Sequence, residues 1–252
     1  MFKTTFFYIL IRHWKVFKYF DRCIDSVFQQ TYGQYKILFI DDNSGFDIYR
    51  IKYIKERLKG HVTVFNKIRK YSVRNGYEMI HKYCSNINAI LINLDADDWF
   101  IDIKTLAYLN KYYGKNPKCQ LTYGNCVLWN GRNYSKPANQ INKYWNKPYP
   151  REIIKNKTFR KYPFLPLHPR TWRVSLFKKI RKEDMFRPDG NWLEFAEDQA
   201  FFFPMLEMAN GNFGVINKPL YVYNTATEQS DKKINLMELL KDELIIRKKG
   251  NI

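Results

Sequence analysis

The chain is constrained most by an alternation of short apolar runs with segments of helical spacing. Residues 5–11, 35–40, 62–66 and 89–92 are apolar, β-branched and aromatic, and they read as strands. Between the first two, Val16, Phe17, Phe20, Cys23, Ile24, Val27 and Phe28 recur at helical spacing, and Tyr32-Gly33 stops that helix. Further helices are expected at about 48–58 and 72–84. Strands alternating with helices mean βαβ units and a doubly wound, mostly parallel sheet, the α/β class. In such sheets ligands bind outside the carboxyl ends of the strands.

Two of these strand ends are acidic. Asp41-Asp42-Asn43-Ser44 follows the second run, and Asp95-Ala96-Asp97-Asp98-Trp99 follows the fourth. The architecture brings both into one crevice. Three carboxylates within four positions resist joint ionisation unless positive charge sits among them. Hard oxygen ligands at a strand end suit Mg²⁺ or Mn²⁺, which usually hold a substrate diphosphate at the same time. The plainer reading of 95–98 is a solvated turn before a helix starting near Ile103, with Asp102 as N-cap. Residues 41–44 could equally form a turn and a cap.

Composition narrows the class. A hydrophobic content of 45% with 17% aromatic residues argues for a packed core and against disorder. Across 252 residues no linker or repeat divides the chain. It reads as one domain over 1–252, with a nucleotide half (1–100), a second-substrate half (101–230) and a basic C-terminal helix (231–252). The longest apolar run, Phe6 to Ile11, is far short of the roughly 20 residues needed to span a membrane, and no cleavage signal flanks it. The four cysteines show no zinc-like spacing. These features predict a soluble protein in the reducing cytoplasm. A net charge of +19 favours anionic partners: nucleotide substrates, anionic lipid surfaces or nucleic acid. The bland account of that charge is a compositional skew of the genome.

Past residue 100 the pattern loosens. A helix is expected at 105–113 and a strand at 120–129. Residues 130–150 are polar, 163–169 too proline-rich for regular structure, and 172–180 a strand or a helix. A helix over 195–209 carries Glu197-Asp198, whose apolar neighbours suggest the lip of a cleft. Two short strands (213–216, 220–223) and a basic amphipathic helix (234–249) close the chain. Its 241–249 face reads as solvated, with docking on an anionic membrane surface as the second reading.

With these residues in view, the chain resembles a family 2 glycosyltransferase of the GT-A fold. Cys23 to Tyr32 resembles the family's SxxxQTY run, Phe39-Ile40-Asp41-Asp42-Asn43-Ser44 its VDDxS, Leu94 to Trp99 its LDxDDW, and Glu197-Asp198-Gln199 the ED of its acceptor half. The four occur in the family's order, from about residue 5 to 230. Tyr223 to Ser230 resembles a loop that closes over the donor.

The resemblance implies an inverting transfer of a sugar from a nucleotide diphosphate sugar, a UDP-sugar foremost, to the hydroxyl of a glycan, lipid or protein acceptor. It implies that Asp42 accepts a hydrogen bond from the base and that Trp14 stacks on it. Arg74 supplies charge near the nucleotide, and Asp95 faces the ribose. Asp97 binds Mn²⁺ or Mg²⁺, and Asp198 is the general base. Ile11, Arg12, Asp41 and Ala96 belong to the same nucleotide-sugar site, with His168, Trp192 and Glu197 as acceptor-side candidates. His168 between prolines and Trp192 beside the acids also read as structural residues. The loop after the first strand, Arg12-His13-Trp14-Lys15, departs from the family's pattern, and no His follows Tyr223 to complete a metal shell. A nucleotidyltransferase of the same fold would need a Gly-rich loop after that strand, and none is there. A nucleic-acid-binding protein is the remaining alternative.

Overall fold

The structure is a computed structural model describing residues 4–229 and 231–250. Its strands are β1 (Phe7–His13), β2 (Tyr35–Asp41), β3 (Val62–Phe65), β4 (Ile90–Asp95), β5 (Trp99–Phe100), β6 (Leu121–Trp129), β7 (Tyr134–Pro137), β8 (Arg170–Arg173) and β9 (Phe213–Asn224). Its helices are α1 (Phe20–Phe28), α2 (Ile48–Arg57), α3 (Tyr71–Tyr83), α4 (Thr105–Lys115), α5 (Ala138–Ile141), α6 (Arg151–Asn156), α7 (Val174–Phe177), α8 (Glu197–Ala209), α9 (Asp231–Ile234) and α10 (Leu236–Lys248).

One sheet runs β3-β2-β1-β4-β8-β6-β9-β5, and β7 pairs antiparallel with the Val127–Trp129 end of β6. The first four strands are mutually parallel, in the register Ile9↔Ile37 and Ile9↔Ile92. Strand β8 then joins β4 and β6 antiparallel, while β9 runs parallel to β6. The sheet is therefore mixed, with a four-stranded parallel part in the N-terminal half and a second parallel pair, β6 and β9, in the C-terminal half. Side-chain alternation explains why helices cover both faces. Phe7, Ile9 and Ile11 pack with Phe20, Ile24, Ile54 and Leu106 on one face. Tyr8 and Leu10 pack with Val73, Ile80, Phe177 and Phe201 on the other. Burying both faces of the central strands supplies the main stabilisation, about 1.5–3 kcal/mol for each large apolar side chain taken out of water.

Several expectations change in detail. The two short strands foreseen near the C-terminus are one strand, β9, interrupted by an exposed bulge at Asn217–Lys218 before Pro219. Asn125 Nδ2 donates to Asn217 O at 2.9 Å across this irregularity, and Pro219, which has no N–H to give, sits where the ladder register shifts. Segment 172–180 contains both alternatives, β8 followed by α7. Asp102 is not the N-cap of α4. Lys104 holds that position, and Asp102 Oδ1 instead accepts from the Lys104 amide at 2.8 Å. No helix among the described residues is long and apolar enough to cross a membrane.

Candidate active site

The carboxyl ends of β1, β2 and β4 face the N-terminus of α8 across a cleft of about 420 Å³. Asp42, Asp97 and Asp198, distant in sequence, all line it. So do Arg12, Trp14, Asp95, Glu197 and His168. Of the remaining candidates, Ile11 in β1 and Ala96 in the turn after β4 are buried and do not reach the lining. Asp41 does not line the cleft either, because its carboxylate is taken up by His13 Nδ1 at 2.8 Å and by the Ser44 amide at 2.9 Å. That arrangement shapes the turn after β2. Arg74 pairs with Glu78 on α3 at 2.8 Å, and Trp192 packs edge-on against Phe186; neither lines the cleft.

Asp42 is nearly buried and accepts three hydrogen bonds, from Asn66 Nδ2 (2.9 Å) and from the amides of Lys70 (2.7 Å) and Tyr71 (2.9 Å). The loop before α3 is thereby tied to the end of β2. Trp14 carries the Arg69 guanidinium against its ring, 3.5 Å from the centroid, and Tyr71 lies 4.2 Å from the same cation. This cation–π stack holds the Trp14 ring at the cleft wall.

Arg12 joins the two halves of the site. It donates to Asp95 Oδ1 at 2.8 Å and stands 2.8 Å from Glu197 Oε2. The guanidinium holds Asp95 below the usual carboxylate range against the opposing effect of burial. Burial outweighs the same cation at Glu197, whose carboxyl is pushed up to about 7. Asp98 turns inward, accepting from Tyr221 Oη at 2.7 Å and the Asn224 amide at 2.7 Å. Burial beside Asp97 and Asp95 raises it well above the carboxylate range. The cluster thus resolves into distinct members: Asp95 paired with a cation, Asp98 fastened to β9, and Asp97 half-exposed on the cleft wall.

On the far wall Asp198 accepts from Arg170 Nη2 at 3.0 Å and from the Gln199 amide at 2.8 Å. His168 stacks on Tyr221, ring centroids 4.6 Å apart, and burial beside Arg170 lowers it to about 3, so its ring is neutral at ordinary pH. Lys15, Asn43, Tyr71 and Ala196, residues in or next to the lining, all take positive φ between 54° and 61°. Such backbone costs about 1–3 kcal/mol per residue and clusters at functional sites.

Among the described residues, no group of three or more His, Cys, Asp or Glu side chains could hold a metal alone. The donor set fits a cation shared with substrate: Asp97 on the wall, Asp95 beside it, and the remaining ligands from a diphosphate, as Mg²⁺ commonly binds. Arg170, Arg69 and Tyr71 line the cleft without belonging to any of the sequence motifs. Only Arg170 had a signal in the sequence, in its adjacency to His168, and nothing in the spacing links it to Asp198. Of the segment that resembles a donor-closing loop, residues 223–229 are described and Ser230 lies outside the described residues.

Comparison with solved structures gives the same architecture. The S. aureus TarS 1-349 complex with UDP-GlcNAc matches with a TM-score of 0.62 at 15% identity, over 89% of this chain and 60% of that one. Glucosyl-3-phosphoglycerate synthase from Mycobacterium tuberculosis, with Mn²⁺ and UDP, matches at TM-score 0.58 and 10% identity over 96% and 80%. A Pyrobaculum calidifontis mannosyltransferase with GDP-Man and Mn²⁺ matches at 0.55 and 13% over 90% and 58%. The chain thus spans about 60% of the TarS fragment. At these identities the likeness establishes the fold, GT-A. No curated protein sequence matches the chain. The family model for "Glycosyl transferase family 2" matches residues 9–181, which include the two acidic strand ends and the His168–Arg170 wall. With more than half of its length matched and its sheet folded as in these transferases, the chain belongs to glycosyl transferase family 2.

Proposed function

We propose that the protein transfers a sugar from a nucleotide diphosphate sugar, a UDP-sugar foremost, to an acceptor hydroxyl with inversion at the anomeric carbon. The observation carrying this reading is the convergence of Asp42, Asp97 and Asp198 on one cleft. The uracil is read beside Trp14 and Asp42, with Asp95 toward the ribose. Asp97 would hold Mn²⁺ or Mg²⁺ against the diphosphate. The ion supplies neutralisation of the charge that gathers on the departing group. That need is physical here, because seven carboxyl groups line the cleft against three arginines, and five remain when the raised Asp98 and Glu197 are set aside, in a protein of net charge +19. The same acidic lining argues against nucleic acid as the cleft's ligand.

Asp198 is read as the base. Its carboxylate takes the proton of the acceptor hydroxyl while that oxygen bonds to the anomeric carbon. The bond from that carbon to the diphosphate oxygen breaks, and its electron pair leaves with the diphosphate. Arg170 keeps Asp198 oriented, and Arg12 holds Asp95 and Glu197 in fixed relation. The neutral ring of His168 and the flat face of Tyr223 border the acceptor side.

Incubation with UDP-glucose, UDP-N-acetylglucosamine and other common donors plus Mn²⁺ should release the nucleoside diphosphate, and Asp198→Asn should stop transfer while leaving UDP binding intact. Full transfer by Asp198→Asn would remove Asp198 as the base. Absence of release from every donor would remove the reading altogether.

A further inference from the structure

Asp242 of α10 is far from the cleft acids in sequence and wholly buried, and no step of the proposed transfer uses it. Its carboxylate accepts from Arg187 Nε (2.7 Å) and Nη2 (3.0 Å) and from the backbone amides of Glu194 (2.9 Å) and Phe195 (3.0 Å). A buried carboxylate is costly unless its oxygens are satisfied in this way. An apolar residue could fill the same space but could not hold two consecutive amides.

Those two amides lead directly into Ala196, which takes a left-handed conformation (φ 54°) and begins α8. An L side chain disfavours that backbone, so it persists only where its surroundings fix it. Glu197 and Asp198 are the first two residues of the helix that follows. On their other side, Gln199 Nε2 donates to Glu243 Oε1, again on α10, at 2.6 Å. Leu239 of the same helix lines the cleft. The C-terminal helix therefore grips the chain on both sides of the acidic pair.

We propose that Asp242 is a positioning residue for the transfer: it fixes residues 194–196 so that the left-handed turn at Ala196 presents Glu197 and Asp198 to the cleft. This rests on reading those two acids as the acceptor-side machinery.

Asp242→Asn preserves size but turns an NH₂ either toward Arg187 Nε or toward the three donors on Oδ2, Arg187 Nη2 and the amides of Glu194 and Phe195. In an enzyme shown to release UDP from UDP-glucose or UDP-N-acetylglucosamine with Mn²⁺, it should lower kcat about tenfold or more, since small misplacements of reacting groups are costly. Donor KM and UDP affinity should stay within about twofold. Hydrogen exchange at amides 195–200 should quicken about tenfold while the sheet stays protected. Arg187→Lys, which keeps the charge but loses the paired donation, should show the same pattern more weakly and serves if Asp242→Asn does not fold. An unchanged kcat per UDP-binding site, or unchanged exchange at 195–200, overturns the proposal. A wild-type protein that releases no UDP from any donor overturns the transferase reading instead, and the positioning role falls with it.

Discussion

Glu197 and His168 line the same cleft and give stability opposite dependences on pH. Burial, opposed by Arg12, raises Glu197 from 4.5 to about 7. The native state keeps a proton that the unfolded chain releases, so this group's contribution is full below pH 4.5 and is lost as pH rises through 7. At about 1.4 kcal/mol per pH unit, the whole loss is about 3 kcal/mol. Burial beside Arg170 lowers His168 from 6.5 to about 3. Here the unfolded chain takes up the proton first, so the contribution is full above pH 6.5 and is lost as pH falls. Between pH 6.5 and 5 that loss is about 2 kcal/mol. In the wild type the two effects nearly cancel over this window, and single variants uncover them. Relative to wild type, Glu197→Gln should gain about 2 kcal/mol on going from pH 5 to 6.5, and His168→Gln should lose about as much. Urea unfolding followed by tryptophan fluorescence at several pH values measures both. Three stability curves running parallel across the window would refute the reasoning.

Other predictions follow from packing. A Cβ at Gly124 would lie 2.7 Å from Pro169 Cδ and 3.2 Å from its backbone nitrogen. Gly124→Ala should therefore cost about 1–3 kcal/mol in urea unfolding, and an unchanged midpoint would contradict the contact. Cys23, Cys84, Cys119 and Cys126 are free and buried, and burial pushes Cys84 and Cys126 up to about 12. A thiol reagent at pH 8 should label none of the four in native protein and all of them in urea; rapid native labelling would contradict the packing. Arg160 and Glu207 form a buried pair at 2.6 and 3.0 Å. Arg160→Met should cost about 3–5 kcal/mol by stranding the carboxylate, and a loss below about 1 kcal/mol would show that the charge is not stranded.

The parallel half of the fold is legible because both faces of its strands are apolar, so Phe7, Ile9 and Ile11 announce one core and Tyr8 and Leu10 the other. The acidic ends of β2 and β4 are legible for the same reason, since the carboxyl ends of buried parallel strands open into the crevice, but which acid reaches it is not: Asp42 lines the cleft while Asp41 is taken up by His13 and Ser44. Strand β8 is legible only as one of two alternatives at 172–180. Its Arg170-Thr171-Trp172-Arg173 run has no clear alternation, and antiparallel pairing with β4 and β6 secures it. That pairing brings Arg170 to Asp198, a contact no local spacing encodes. The split among Asp95, Asp97 and Asp98 is likewise set by Arg12 and Tyr221, partners from other strands. Asp242 shows the limit most plainly: in sequence it is one acid on an amphipathic helix, and only the fold sets it beneath Ala196.

Isothermal titration of UDP, with and without Mn²⁺, into wild type, Asp97→Asn and Asp198→Asn tests the shared cleft most directly. Mn²⁺ should tighten UDP binding about tenfold or more, equivalent to about 1.4 kcal/mol, in wild type and Asp198→Asn, and this gain should disappear in Asp97→Asn. Equal UDP affinity with and without metal in all three proteins would contradict it.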